Sequence, residues 1–244
     1  MVEKIVLLGA AIVSAACLLA GAARARAASG GELKVRWFGH ACFLITTSSG
    51  VRILTDPFDA TVGYPLPQVE ADVVTSSHDH FDHNNVKVAR GNPVVLKGGG
   101  RWEKAGGRIY SVASFHDTEG GAKRGPNGIF VVEADGIRLV HMGDIGHDLS
   151  KQQLSEIGRV DVLLVPVGGT YTIDAAGAKR LVEATSPKVV IPMHYKTPVV
   201  GFPIATVDKF VASFANVTRL DTNEVGFRAS SLPESTAVYV LNYE

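Results

Sequence analysis

The sequence predicts a layered α/β sandwich, with strands in the interior and helices outside. Three observations carry the prediction. Short β-branched runs separated by turn residues fill the chain after Gly31. Two continuously apolar runs, VDVLLVPV (160–167) and KVVIPM (188–193), read as strands buried on both faces. Helical patterns stand beside them and are needed to cover them.

In order, strands are expected over 34–37, 42–47, 51–55 and 73–76, which makes the first half β-rich. Further strands follow over 94–97, 108–112, 129–133 and 137–141, the last two joined by Ala134-Asp135-Gly136, a hairpin turn signal. Helices are expected over 150–157, 172–184 and 206–214, with Thr172 and Thr206 as N-caps. In the second, Ala175, Ala178, Leu181 and Val182 form one apolar stripe and Lys179, Arg180 and Glu183 lie outside it, the pattern of an amphipathic cover helix. No repeat of fixed period and no long linker divides the chain, so residues 28–244 are expected to be one domain.

Residues 1–27, MVEKIVLLGAAIVSAACLLAGAARARA, read instead as a secretory signal. Lys4 supplies the positive start, 5–23 the apolar run, and Ala25-Arg26-Ala27 a cleavage site after Ala27. A retained membrane anchor is the rival reading, because the apolar run is long enough to span. Lipidation at Cys17 is disfavoured by Ser14, which stands where a branched aliphatic is expected. The expected location is therefore the periplasm or the exterior, without a membrane once the signal is cut. Of 24 basic and 24 acidic residues the segment removes Lys4, Arg24, Arg26 and Glu3, leaving a net charge of minus 2. Nothing in that balance advertises a nucleic-acid or membrane surface. Cys42, in CFLI, is the one cysteine left, so stability must come from the core.

The chemistry is concentrated in SSHDHFDHNN (76–85), which places His78, His80, Asp82 and His83 within six positions of a chain holding only 8 histidines. The stretch follows an apolar strand and precedes NNVKVAR, a helix-capable segment. In extended chain His78, His80 and Asp82 face one way, while His83 turns off at the next step. Imidazole and carboxylate donors suit Zn, Fe or Mn better than Mg or Ca. One loop cannot complete two coordination spheres. Further donors stand at other strand ends: His116 in SVASFHD, Asp144 in HMGDIG and His194 in PMHYKT.

On these residues the chain resembles the metallo-β-lactamase superfamily over 33–244. SSHDHFDH is similar to its His-x-His-x-Asp-His signature, and His116, Asp144 and His194 follow in the order of its later ligand motifs. WFGHACFLI, ILTDPF, HMGDIGH, PVGGTYTID and IPMHYKT further resemble the branch holding ascorbate-6-phosphate lactonase-like enzymes. The resemblance implies a single-domain, four-layer αββα sandwich with metals at one edge. Carried over by position, His78, His80 and His116 would hold one divalent ion, and Asp82, His83 and His194 a second. Asp144 would bridge both. Zn is the expected metal, with Mn or Fe as alternatives. Two cations sharing a water make it a hydroxide near neutral pH and stabilise the oxyanion it forms, with Asp82 and Asp144 as the catalytic carboxylates. No serine or cysteine nucleophile is required, and none stands in a nucleophile-elbow pattern.

Around this set, His40 is expected as a proton donor or substrate contact, or else as a structural histidine. His141 reads as a supporting or core residue. His147 reads as a partner of a ligand or a cap, and Asp56 as an orienter of a ligand histidine or a turn opener before Pro57. Arg124, Lys123 and Asn127, in the Gly-rich segment 116–128, are expected either to form a lip over the site whose donors, Arg124 first, bind an anionic small-molecule substrate, or to belong to a solvated charged loop. Tyr195 and Lys196 are expected as oxyanion or recognition contacts.

The favoured function is hydrolysis of a lactone, phosphodiester or related ester. A β-lactamase is the alternative, against which stands Asp144, since lactamases of the family generally lack a bridging aspartate there. A diiron oxidoreductase is disfavoured by His80, where a carboxylate would be typical. A non-catalytic metal-binding protein is the alternative of another class. An oligomer is left open.

Overall fold

The computed structural model describes residues 31–243 apart from residue 105. The expected signal segment, 1–27, lies outside the described residues. In chain order the strands are β1 (Leu33–Gly39), β2 (Cys42–Thr46), β3 (Arg52–Thr55), β4 (Val73–Ser76), β5 (Val94–Lys97), β6 (Arg101–Lys104) and β7 (Gly107–Phe115). They continue with β8 (Pro126–Ala134), β9 (Ile137–His141), β10 (Val162–Pro166), β11 (Val189–Met193), β12 (Val217–Arg219), β13 (Glu224–Phe227) and β14 (Ala237–Val240). One sheet runs β13-β1-β2-β3-β4-β5 and the other β12-β14-β11-β10-β9-β8-β7-β6.

Period-two alternation explains how the six-stranded sheet is packed. Phe43, Ile45, Ile53 and Val73 point into the core shared by the two sheets. Their neighbours Cys42, Leu54 and Val74 point the other way, into a smaller cluster with Phe58, Val62, Tyr64, Val200 and Ile204. Among the described residues, the layer beyond this sheet is thus made of loops and two short 3-10 turns, Ala60–Val62 and Val86–Val88. Cys42 is a buried apolar residue, as expected.

Strands β10 and β11 are buried at every position and pair in parallel. Helix α1 (Lys151–Ile157) packs on β7 and α2 (Ala175–Thr185) on β10, so helices cover the outer face of the eight-stranded sheet. Ser150 caps α1 in a reciprocal pair with Gln153. The cap of α2 is Asp174 and not Thr172. Ile173 is still bonded as extended chain to the Ile145 carbonyl, and the Asp174 carboxylate accepts from Gly177 N at 2.9 Å. Helix α3 (Asp208–Val211) is a single turn rather than the nine residues expected. The Asn216 carbonyl is already claimed by Val238 N at 2.9 Å, and Thr206 donates to the Asp208 carboxylate instead of capping. Strands β6, β12 and β13 escape a sequence reading because they are short edge strands, and β14 because its four residues follow the last helical pattern.

Strands β7, β9, β10 and β11 run in one direction across the eight-stranded sheet. The residues just after β7, β9 and β11, namely His116, Asp144 and His194, therefore emerge at one edge, facing the loop after β4. Among the described residues no helix is long and apolar enough to cross a membrane.

Candidate metal centre

The loop after β4 is not extended. His83 N bonds the His80 carbonyl at 2.9 Å, which folds the motif into a turn. This corrects the expectation that His78, His80 and Asp82 converge: the turn separates Asp82 from the first two. His78 and His80 join His116, with one ligand atom from each lying within 4.8 Å of the others. Asp82 and His83 join His194 and His40 in a second group of the same compactness. Asp144 touches both. One oxygen lies 2.8 Å from His116 Nε2 and 3.2 Å from His194 Nε2, and the other 3.3 Å from His83 Nε2.

All of these donors are buried except His80 and Asp82, which stand nearer solvent. His78 Nε2 and His194 Nδ1 have no hydrogen-bond partner, and His83 Nε2, His194 Nε2 and Asp144 Oδ1 make ion-pair contacts of 3.2–3.3 Å at Asp144 that lack hydrogen-bond geometry. Leaving a buried polar atom unmatched costs about 1–3 kcal/mol, so a cluster of them is expensive unless a cation satisfies it. The donor set, nitrogen and carboxylate oxygen with no thiolate, fits a divalent transition metal.

Asp56 arranges the tautomers. Its carboxylate accepts from Ser77 N at 2.8 Å, from Ser77 Oγ, and from His83 Nδ1 at 2.9 Å. Because Ser77 Oγ donates to Asp56, its oxygen accepts from His78 Nδ1 at 2.9 Å. One buried carboxylate thereby turns the Nε2 lone pairs of His78 and His83, one from each group, toward the site. Asp56 has φ 40°, and His40 and His194 have φ 52°, a region costly for residues other than glycine. His194 N bonds the His40 carbonyl, tying these two strained turns together.

The charges are strongly coupled. Burial alone would push the His83 imidazolium down, but Asp144, Asp82 and Asp56 hold its pKa well above the usual value. Burial would raise Asp144, but His194, His83 and His116 keep it well below the carboxylate range. His78 falls to about 3 through burial and the neighbouring His83. His40 falls to about 4 through burial and His194. A proton and a metal ion would compete for the same nitrogens here.

Several expected contacts fall elsewhere. His40 is fully buried, bonded to Asp82 at 3.1 Å, so it cannot touch a substrate directly. Asn127 is no substrate contact: its amide donates to Ser114 Oγ and the Met142 carbonyl, and its oxygen accepts from Asp144 N at 2.9 Å. It holds the Asp144 backbone in place. Tyr195 is buried against Trp37 with ring centroids 5.3 Å apart, and Lys196 is spent on the carbonyls of Val200 and Phe202. The physical reasons differ: Asn127 and Tyr195 are held by strand and core neighbours, Lys196 by carbonyls of its own loop, and His40 by Asp82 within the donor cluster. His141 is a core residue that donates to the Ala41 carbonyl at 2.8 Å. His147 accepts from Phe115 N at 3.1 Å, bracing the strand that leads to His116.

A cavity of about 630 Å³ opens on the cluster, lined by His80, Asp82, His116 and Asp144 and rimmed by Phe81, Lys123, Arg124, Tyr171 and Phe202. Arg124 thus stands at the cavity mouth. The aromatic rim and Ser77 were not singled out by sequence; an exposed phenylalanine inside so polar a motif was the available signal.

A two-sheet α/β sandwich with a His/Asp cluster at converging strand ends defines a class of proteins that hold metal ions at a sheet edge. Comparison gives the family: residues 34–194 match the beta-lactamase superfamily domain, and the chain belongs to that superfamily. It is 31% identical over 208 residues to a UPF0173 metal-dependent hydrolase of Archaeoglobus fulgidus, covering 72% of this chain and 87% of that one. A second UPF0173 metal-dependent hydrolase, from Thermococcus onnurineus, is also 31% identical, covering 79% and 98%. A crystal structure from Thermotoga maritima, described as a metallo-beta-lactamase superfamily member, aligns with a TM-score of 0.72 and 42% identity over 86% of this chain and 98% of that one.

Proposed function

We propose that this protein is a metal-dependent hydrolase that holds two divalent ions and cleaves an ester-type bond, in a lactone, phosphodiester or related small molecule. The observation that carries the reading is the meeting of two compact donor groups at Asp144 on the floor of an open cavity. His78, His80 and His116 would hold one ion and Asp82, His83 and His194 the other. Asp144 contacts both groups, and His40 steadies Asp82. The relatives named metal-dependent hydrolases, and the Thermotoga maritima protein described as a candidate Zn-dependent hydrolase, support this reading and favour Zn. Bound there, divalent ions acidify water and polarise a carbonyl or phosphoryl group.

The chain's own part is arrangement. Asp56 and Ser77 fix two histidine tautomers, Asn127 fixes the Asp144 backbone, and burial removes competing water from the donors. The cavity favours catalysis over passive metal binding, since a storage site has no use for an opening of this size beside its ligands. The test is metal analysis of purified protein followed by hydrolysis of lactones, phosphodiesters, aryl esters and β-lactams with and without chelator. Close to two ions per chain and chelator-sensitive ester cleavage are expected. Preferential β-lactam turnover, or no bound metal after reconstitution, overturns the reading. We also infer export with cleavage after Ala27, checked by the N-terminal mass of the secreted protein.

A further inference from the structure

The residues around the cavity mouth are not metal donors, and they are of two kinds. Phe81, Tyr171 and Phe202 come from three separate loops, with centroids 6.3 Å apart for Phe81–Phe202 and 6.2 Å for Tyr171–Phe202, each pair near-perpendicular. Phe81 is 52% exposed and Tyr171 36%. Three aromatic rings converging at the mouth of a pocket, with two of them open to water, form a surface for an apolar partner.

Beside them stands Arg124. Lys123, its neighbour, is paired with Glu119. Arg124 has no carboxylate partner among the described residues. One terminal nitrogen donates to the Thr170 carbonyl at 3.1 Å, and the guanidinium lies 5.7 Å from the Tyr171 ring centre. Asp79 also lines the cavity, but its carboxylate is engaged by Asn84 and Lys97. Asp82 and Asp144 belong to the metal centre.

The cation is presented on a fixed frame. Asp117 accepts four backbone N–H groups, from Glu119, Gly121, Lys123 and Arg124, at 2.8–2.9 Å, which folds the whole 117–124 segment around one carboxylate. The Thr170 hydroxyl donates to the Pro203 carbonyl at 2.8 Å. The loops carrying Arg124, Tyr171 and Phe202 are therefore bonded in series. A guanidinium with unused donors on a rigid loop, above an aromatic wall, suits a carboxylate or phosphate attached to a flat apolar body.

We propose that the substrate of this site is an amphipathic anion: a flat, apolar molecule that rests on Phe81, Tyr171 and Phe202 and sets one carboxylate or phosphate on Arg124. This rests on the hydrolase reading for the bond that is cut, whereas the recognition can be measured apart from it. Metal-loaded protein is titrated by calorimetry with para-phenylbenzoate, para-biphenylphosphonate and para-phenylbenzamide. At least one anion binds about tenfold or more tightly than the neutral amide, and which anion wins tells carboxylate from phosphate recognition. Arg124→Gln abolishes the preference, Arg124→Lys restores part of it, and Phe202→Ala weakens all three probes alike. Metal content is read on every variant. Equal affinity for anions and amide overturns the proposal, as does an anion preference that survives Arg124→Gln, which would put the anion on the metals. Hydrolysis is followed separately with para-acetoxybenzoate and para-acetoxybenzamide, where a lower KM for the benzoate is expected and Arg124→Gln brings the KM ratio to about one. Arg124-dependent binding without turnover of either ester leaves the recognition standing and counts against ester cleavage.

Discussion

Asp144 is the residue on which the two donor groups depend together, since its oxygens lie against His83, His116 and His194. Replacing it with Asn keeps the shape but removes a full negative charge from between two cation sites, so the weaker site should empty first. Asp144→Asn is expected to lower turnover by roughly a hundredfold or more, with partial metal loss and an intact fold. His147→Ala, on the same loop but directed at Phe115 N, should keep both metals. Metal analysis beside kinetics separates the two; an Asp144→Asn protein with full metal and full activity removes the case for a shared carboxylate. At this scale the sequence was highly legible. His78, His80, His83, His116 and His194 are rare residue types in dense or strand-end positions, and all were found together. Asn127 and Tyr195 face away from the cavity, because neither adjacency to His194 nor a place in the loop segment after His116 fixes the direction of a side chain.

The elements that deliver these residues rest on local backbone chemistry. Asp135 and Gly136, with φ 54° and 76°, form a two-residue turn between β8 and β9, whose ends pair as Ala134 with Ile137. Gly136→Ala should cost about 1 kcal/mol, a fall of roughly 2–4 °C in Tm for a chain of this size, and leave metal content unchanged. A thermal melt with metal analysis checks it, and metal loss would show that the hairpin does more than turn. The 117–124 segment offers a pH test. Burial pushes the Asp117 carboxyl up, but the N–H groups of Arg124, Glu119, Gly121 and Lys123 outweigh it and hold the pKa well below the usual range. A cation at His116 would push in the same direction. A lowered folded pKa means the contribution is complete above the ordinary value of about 3.9 and is lost as pH falls through the lowered one. Amide-exchange protection of those four residues, corrected for intrinsic rates, should thus hold steady from about pH 7 to 5 and decline only below about 4. Loss of protection between pH 7 and 5 would show that something else orders the loop. Strand positions were read well where runs were long and apolar. The cap of α2 and the length of α3 were not, because Ile173 and Asn216 are claimed by neighbouring segments that no local pattern reveals.

Taken as one molecule, the sandwich is held at the metal edge by donors spread from residue 78 to residue 194, emerging from both sheets. Ions that bind only the folded chain stabilise it by mass action, about 2.7 kcal/mol at a hundredfold excess over Kd. Chelation is therefore expected to lower Tm by roughly 5–10 °C, with a smaller drop in Asp144→Asn; differential scanning calorimetry with and without chelator measures both, and an unchanged Tm denies the donors a metal. By itself the sequence determined the α/β class, the order of most strands, and the inventory of candidate metal donors. Periodicity and residue chemistry are local properties, and His-x-His-x-Asp-His can be read without knowing where it folds. Only the tertiary structure decided which donors meet. The turn at His80–His83 sends Asp82 away from His78, Asp56 reaches across from β3 to set two histidine tautomers, and Phe81, Tyr171 and Phe202 form one wall from three loops. The Asp56 and aromatic pairings join residues 21 to 121 positions apart, and contact at such separation is set by how the sheets pack, which no short window of sequence contains.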